Sequence, residues 1–213
     1  MVLLLKGLRA MLAGIYISIG CVAYVRSTDP IIGSLLFSIA LVTINIFDLP
    51  LFTGRVYRIV AAPQDRIMHV FLNLVAMWFC NFAGCYLAAL LLRPIRYYDR
   101  MVEACASISY HRIMDGPVGL FMLGLGCNML IYVSSRSYRE RHDTVGTIMI
   151  ILSTMMFIIC GFEHSIAMAF IMIMGNTSIT QRLLVLTPIT LGNGIGAVIP
   201  ALIMDRFYQH IGG

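Results

Sequence analysis

Residues 158–170 read IICGFEHSIAMAF, which sets a carboxylate and an imidazole, Glu163 and His164, side by side in one of the most apolar stretches of the chain. As one straight helix, residues 144–174 would be roughly 46 Å long, against a hydrocarbon core of about 30 Å. A second overlong segment, 31–62, contains FDLPLFTG at 47–54, with Asp48 inside it. A charge in hydrocarbon costs about 3 kcal/mol on insertion scales, and tilt absorbs only part of the excess length. A break in mid-span, at 47–54 and again at 160–165, accommodates both the length and the charges.

The premise that these segments lie in a membrane comes from composition. The 213 residues are 60% hydrophobic and 12% charged, far from the balance of an ordinary soluble domain. Six apolar segments recur, at about 8–25, 31–62, 67–92, 116–134, 144–174 and 183–204. They imply an all-α integral membrane protein with six transmembrane helices, and no polar linker divides it into domains. The apolar run from Ala10 to Val25 reads as a first span rather than a signal peptide. The net charge of +5 does not indicate nucleic-acid binding, because the basic residues stand at the ends of apolar runs. Cys21, Cys80, Cys85, Cys127 and Cys160 lie within apolar runs and read as small buried hydrophobes, while Cys105 falls in a polar loop. No cysteine or histidine spacing suggests a metal site or cofactor, and MAFIMIMG at 168–175 reads as core or lipid-facing rather than as copper ligands.

The chain also repeats itself. Gly7 and Gly119 are 112 residues apart, as are Gly14 and Gly126, and Asn81-x-x-Gly84 returns as Asn193-x-x-Gly196 at the same offset. Thr53 and His164, at the two breaks, are nearly so related. Three spans per half is an odd number, so the second half enters the membrane upside down. The expected organisation is a 3+3 inverted repeat, with halves at about 1–93 and 116–204 and spans 2 and 5 broken. The linking loop 94–115 contains RYYDRMVEACASISYHR and is expected to fold against the outer mouth. With six spans both termini share a side. Nine of the fifteen Lys and Arg residues, Arg206 among them, fall on that side, which makes the termini cytoplasmic and the loop extracytoplasmic.

A helix interrupted within a bilayer leaves backbone groups that must face protein or water. Half-helices starting after Thr53 and after His164 would point two electropositive N-termini into one cavity, a setting that attracts an anion. Desolvation favours a neutral His164 at rest. Beside an anion it can donate a hydrogen bond, or lend a proton and release a neutral weak acid. Neighbouring helical residues point about 100° apart, so Glu163 is expected to tie down the broken backbone while His164 lines the pore. Asp48 is expected to support the first break. His69, His111, His142 and His210 lie at span ends or in loops, where solvated surface histidines are the default.

LFTG at 51–54, GFEHSIA at 161–167, TLGNGIG at 190–196, GCNMLIYV at 126–133 and KGLRAMLAGIYISIG at 6–20 together resemble the formate/nitrite transporter family, including its hydrosulfide channels. The resemblance covers nearly the whole chain. It implies an aquaporin-like fold, a homopentamer and one pore per subunit. Carried over position by position, it makes His164 the central pore histidine, Thr53 the threonine of the loop interrupting span two, and Asn128 the fourth-span asparagine. Leu51 and Phe52 match apolar gate positions, and Phe37, Leu41, Ile131 and Phe157 match further constriction positions. Arg112 falls where the family usually has a vestibule lysine. Arginine stays charged and cannot relay a proton as lysine can. The chain also departs from the family pattern at Met168, where asparagine is usual, and at Pro50, where an acidic residue is common. Its N-terminal tail is short.

The resulting expectation is a channel in the inner or plasma membrane for small monovalent weak-acid anions: formate, nitrite or hydrosulfide. The alternative is an aquaporin-like channel for small neutral solutes, although no Asn-Pro-Ala motif appears. An intramembrane enzyme built on Glu163 and His164 is disfavoured, because there is no His-Glu-x-x-His motif.

Overall fold

The computed structural model describes the backbone of residues 2–211 and the side chains of residues 3–204, so the side chains of Arg206 and His210 lie outside the described residues. The described chain is helical throughout: α1 (Val2–Arg26), α2 (Pro30–Ile46), α3 (Phe52–Arg55), α4 (Ile67–Leu91), α5 (Tyr98–Met114), α6 (Pro117–Arg141), α7 (Thr144–Ile159), α8 (Ser165–Met174) and α9 (Ile179–Ile211). Under the inverted repeat α1 corresponds to α6, α2 to α7, α3 to α8 and α4 to α9. The packing obeys that correspondence: α1 lies along α2 and α4, α6 lies along α7 and α9, and α2 meets α7 where the halves join.

Local sequence explains where the broken spans start. Asp29 caps α2 by accepting from the N–H groups of Ile31 and Ile32, with Pro30 at the first position. Asp143 caps α7 by accepting from Gly146 N–H. A short polar side chain before an apolar run satisfies the otherwise unpaired first-turn donors.

Both broken spans end alike. The N–H of Leu49 reaches back to the carbonyl of Ile44, and that of Phe162 to Phe157, each across a left-handed residue. Those residues are Asp48, at φ 46°, and Gly161, at φ 70°. This is the helix-terminating turn in which the left-handed position usually belongs to glycine. The first half places an aspartate there instead.

The helix pairs approach closely through glycine. A Cβ on Gly84 would lie 2.0 Å from the carbonyl oxygen of Met11, and one on Gly196 would lie 2.2 Å from that of Leu125. Without a hydrophobic driving force between helices in lipid, such contact is a principal source of association. The outer faces carry exposed leucines, isoleucines and phenylalanines, as a bilayer requires, and the fold is that of a multi-pass membrane protein.

Two expectations need correction. Residues 94–115 are largely the helix α5, not an open loop; it packs on α8 and buries Cys105, whose thiol burial pushes up to about 12. Cys160 is exposed and Cys80 only half-buried, because both face outward from their helices. Of the two settings expected for the methionine-rich run, core or lipid-facing, the structure has core: Met168, Met172 and Met174 are all buried, since α8 is surrounded by α4, α5, α1 and α9.

Candidate functional site

The two breaks meet through side chains. Nε2 of His164 lies 2.8 Å from Oγ1 of Thr53, and both residues are buried. His164 is itself the N-cap of α8, its Nδ1 accepting from the backbone N–H of Ala167 at 3.2 Å. An amide N–H can only donate, so Nδ1 carries a lone pair and the hydrogen of the neutral ring sits on Nε2. The ring therefore donates to Thr53, and the Thr53 hydroxyl keeps its own hydrogen for a third atom. The ring of His164 stacks on Phe157 with centroids 6.1 Å apart.

Thr53 is not the counterpart of His164. The N-cap of α3 is Leu51, extended as His164 is, and one shift relates Asp48 to Gly161, Leu51 to His164 and Phe52 to Ser165. Thr53 lies two positions further on, where its hydroxyl reaches the imidazole. The two half-helices are also unequal. α8 has ten residues, whereas α3 has four before passing into a 3₁₀ turn at Val56–Ile59. The expected pair of electropositive tips is therefore lopsided, with α8 carrying most of the aligned peptide dipoles.

Two asparagines hold the breaks, and the sequence marked them only as repeat positions. Asn81, on α4, accepts from Phe52 N–H at 2.9 Å and donates to the carbonyls of Ala10 and Pro50. Asn193, on α9, accepts from Ser165 N–H at 2.9 Å and donates to the carbonyls of Gly124 and Glu163. Each side chain caps a half-helix from a neighbouring span and ties down the residue before the cap. Leu51 has no side-chain hydrogen bond to offer α3, so Asn81 is the side chain that accepts from that start. Their signal was present: two fully buried amides in matching Asn-x-x-Gly sequences must satisfy their donors locally.

Asn128 joins the halves by donating to the carbonyls of Thr53 and Asn193. Its Oδ1 and the hydroxyl of Ser165 are buried without a protein partner. Phe37, Leu41, Leu51, Ile131 and Phe157 are buried in the core cluster that surrounds this site. Phe52 is not among them. It packs with Val56, Leu74 and Tyr132 in a second cluster and faces an outward groove between α4 and α9.

Glu163 and Asp48 sit at opposite ends. The Glu163 carboxylate is ion-paired with Arg112 of α5, which also reaches Asp115 at 3.6 Å. Asp48 is 66% exposed rather than deep in the membrane. Its α2 runs 17 residues, about 25 Å, before breaking, so the chain has nearly crossed by then. Asp48 pairs with Arg55 and Arg139 on the side of the chain termini. Among the described residues no cluster of His, Cys, Asp and Glu could hold a metal ion.

The model for the formate/nitrite transporter family matches residues 5–205. The chain is 27% identical over 183 residues to the formate channel FocA of Escherichia coli K12, a match spanning 78% of this chain and 64% of that protein. It is 24% identical over 154 residues to the FocA of Haemophilus influenzae, spanning 68% and 54%. The chain thus covers somewhat less than two thirds of the length of these relatives. Among solved structures it is similar to a pentameric formate channel with formate bound, with a TM-score of 0.77 and 24% identity over 97% of this chain and 96% of that one. It is similar also to an FNT family ion channel, with a TM-score of 0.80 and 22% identity over 95% and 90%.

Proposed function

The chain belongs to the formate/nitrite transporter family, and from that premise we propose that it is a channel for small monovalent weak-acid anions, with formate, nitrite and hydrosulfide as the candidates. The single observation that carries this reading is the hydrogen bond from His164 to Thr53, made between two broken spans inside an apolar enclosure.

The chemistry follows from the donors. Thr53 accepts from His164 and has a hydrogen to give; the hydroxyl of Ser165 is likewise buried without a protein partner. An anion between Leu51 and Phe157 has shed its water and takes these donors instead. Hydrated ions gain nothing there and are refused by the apolar walls. His164 acts as a neutral donor rather than as a proton lender. Charging the ring requires a hydrogen on Nδ1, which would face the N–H of Ala167 and cost α8 its cap. The imidazole thus polarises Thr53, whose hydroxyl hydrogen is given to the passing anion.

The similarity to a pentameric channel supports a homopentamer with one pore per subunit. The surplus of basic residues on the terminal side supports cytoplasmic termini in an inner or plasma membrane. Glu163 and Arg112 support the second break and Asp48 the first.

Flux of formate, nitrite and hydrosulfide into proteoliposomes tests the proposal. The parent protein is expected to conduct at least one of them, and His164→Phe to lose that flux. Equal conduction by His164→Phe would overturn the role of the imidazole. Swelling in glycerol without anion flux would make the chain a neutral-solute channel.

A further inference from the structure

Because α4 packs on α1 and α9 packs on α6, the outer face opens between α4 and α9 into a groove of about 620 Å³. Its walls are apolar, with Phe52, Trp78, Phe82, Leu186 and Leu191 among them. Trp78 stacks on Phe82 with ring centroids 5.5 Å apart. Phe52 ties the groove to the first break, since it opens α3 directly after Leu51. Gly194 leaves one wall open, for a Cβ built there would meet nothing within 4 Å.

One end of the groove differs. Arg182, in the first turn of α9, is the one charged side chain that lines it. Its Nε donates to Oγ1 of Thr177 at 3.3 Å, and among the described residues no carboxylate pairs with the guanidinium. Met204, at the far end of the apolar span, lies about 33 Å further along α9. The hydrocarbon core is about 30 Å thick, so Arg182 stands at its boundary, on the side away from the termini. Gly194 lies about 18 Å along the helix from Arg182, roughly the depth of one leaflet.

We infer that this groove binds an anionic phospholipid of the leaflet opposite the termini, with its phosphate on Arg182 and an acyl chain laid over Trp78 and Phe52. The dimensions select the occupant. Spread along the about 24 Å of α9 from Arg182 to Val198, the volume corresponds to a trough about 5 Å across. That width suits an extended hydrocarbon chain and is too narrow for a helix, which is about 10 Å across with its side chains. The charge selects the headgroup, because a guanidinium without a carboxylate partner takes phosphate oxygens readily. A bilayer supplies an amphiphile on this plan: an apolar tail one leaflet deep with a phosphate at the boundary. The tail completes the packing around Phe52 and so covers the open side of α3. The inference rests on the membrane fold and goes beyond the channel reading.

Trp78 is the sole tryptophan of the chain, so its fluorescence reads the groove directly. The full chain is reconstituted in phosphatidylcholine vesicles carrying rising fractions of phosphatidylglycerol with brominated acyl chains, whose bromine quenches an indole in contact. Brominated phosphatidylcholine is the comparison. Half-maximal quenching is expected at a mole fraction about two- to fivefold lower for phosphatidylglycerol, the scale of one exposed charge pair. Arg182→Gln is expected to erase that difference. Gly194→Leu, which fills the open wall, is expected to weaken quenching by both lipids. No quenching by either lipid would mean that a second copy of the chain covers the groove, and would overturn the inference. Equal quenching by the two lipids in the parent protein, or a preference that survives Arg182→Gln, would leave only ordinary boundary lipid and overturn it as well. Undiminished quenching in Gly194→Leu would put the acyl chain outside the groove, with the same consequence. If Gly194→Leu does not fold, Arg182→Gln decides alone.

Discussion

His164 and Thr53 are 111 residues apart in sequence and share a hydrogen bond of 2.8 Å, with the imidazole donating to the hydroxyl. The direction is fixed by a third group, the N–H of Ala167, which occupies the other ring nitrogen. One backbone amide thereby determines which way the hydrogens point across the centre of the protein, and the free Thr53 hydrogen is the result.

That hydrogen is open to deletion. Thr53→Val keeps the branched shape and removes the hydroxyl. A hydrogen bond to a charged partner is worth about 1.5–3 kcal/mol, so anion flux in proteoliposomes should fall by about ten- to a hundredfold. Thr53→Ser should recover most of it. Undiminished flux through Thr53→Val would show that the ion passes without this donor.

The trans-capping amides make a stability prediction. Asn193→Leu leaves the N–H of Ser165 and the carbonyls of Gly124 and Glu163 without a side-chain partner. Each unmet buried group costs about 1–3 kcal/mol, and the protein in detergent should unfold at a clearly lower temperature. Asn193→Asp retains the acceptor and loses the two donors, so it should fall in between. Asn81 should behave in parallel, because its three bonds are equivalent.

Arg112 and Glu163 should show coupling. The Glu163 carboxylate is buried and its partner about one quarter exposed. Arg112→Gln strands the carboxylate and is expected to destabilise by about 2 kcal/mol, below the 3–5 kcal/mol of a fully buried pair. The double variant with Glu163→Gln should recover much of the loss. Additive losses in thermal unfolding would mean that the pair contributes nothing as a pair.

A pH signature belongs to Asp143, outside the spans. The N–H of Gly146 beside it holds its carboxyl below the ordinary 3.8. A lowered folded value means the cap contributes fully above the unfolded value and is lost as pH falls through the folded one. Asp143→Ala should therefore unfold at a lower temperature than the parent at pH 7. The gap should close as pH falls below the ordinary carboxylate range. A gap that persists there would assign the effect to packing instead.

Much of this frame is legible in the sequence, since overlong apolar segments and a carboxylate within one of them leave few alternatives to a broken span. His164, Thr53 and Asn128 do converge, as the motifs implied. Other features depend on register, which a string of letters does not carry. Thr53 precedes His164 by 111 residues, near the 112 counted from glycines but two short of the 113 that relates the two breaks, so Thr53 stood in for Leu51 as the partner of His164. Phe52 looked like a neighbour of Leu51, but successive residues of a helix point apart, and its ring turned outward to Val56 and Leu74. Asp48 looked deep because the segment around it is apolar; only the length of α2 shows that the chain has nearly emerged by then.

Leu51 and His164 hold the same station in the two antiparallel halves, one inert and one able to give a hydrogen bond. A passage framed by a two-fold axis thus has no two-fold chemistry. Apolar carbon stands at one break and a ring nitrogen at the other. The difference between the halves lies in a single pair of side chains, while the scaffold around them repeats.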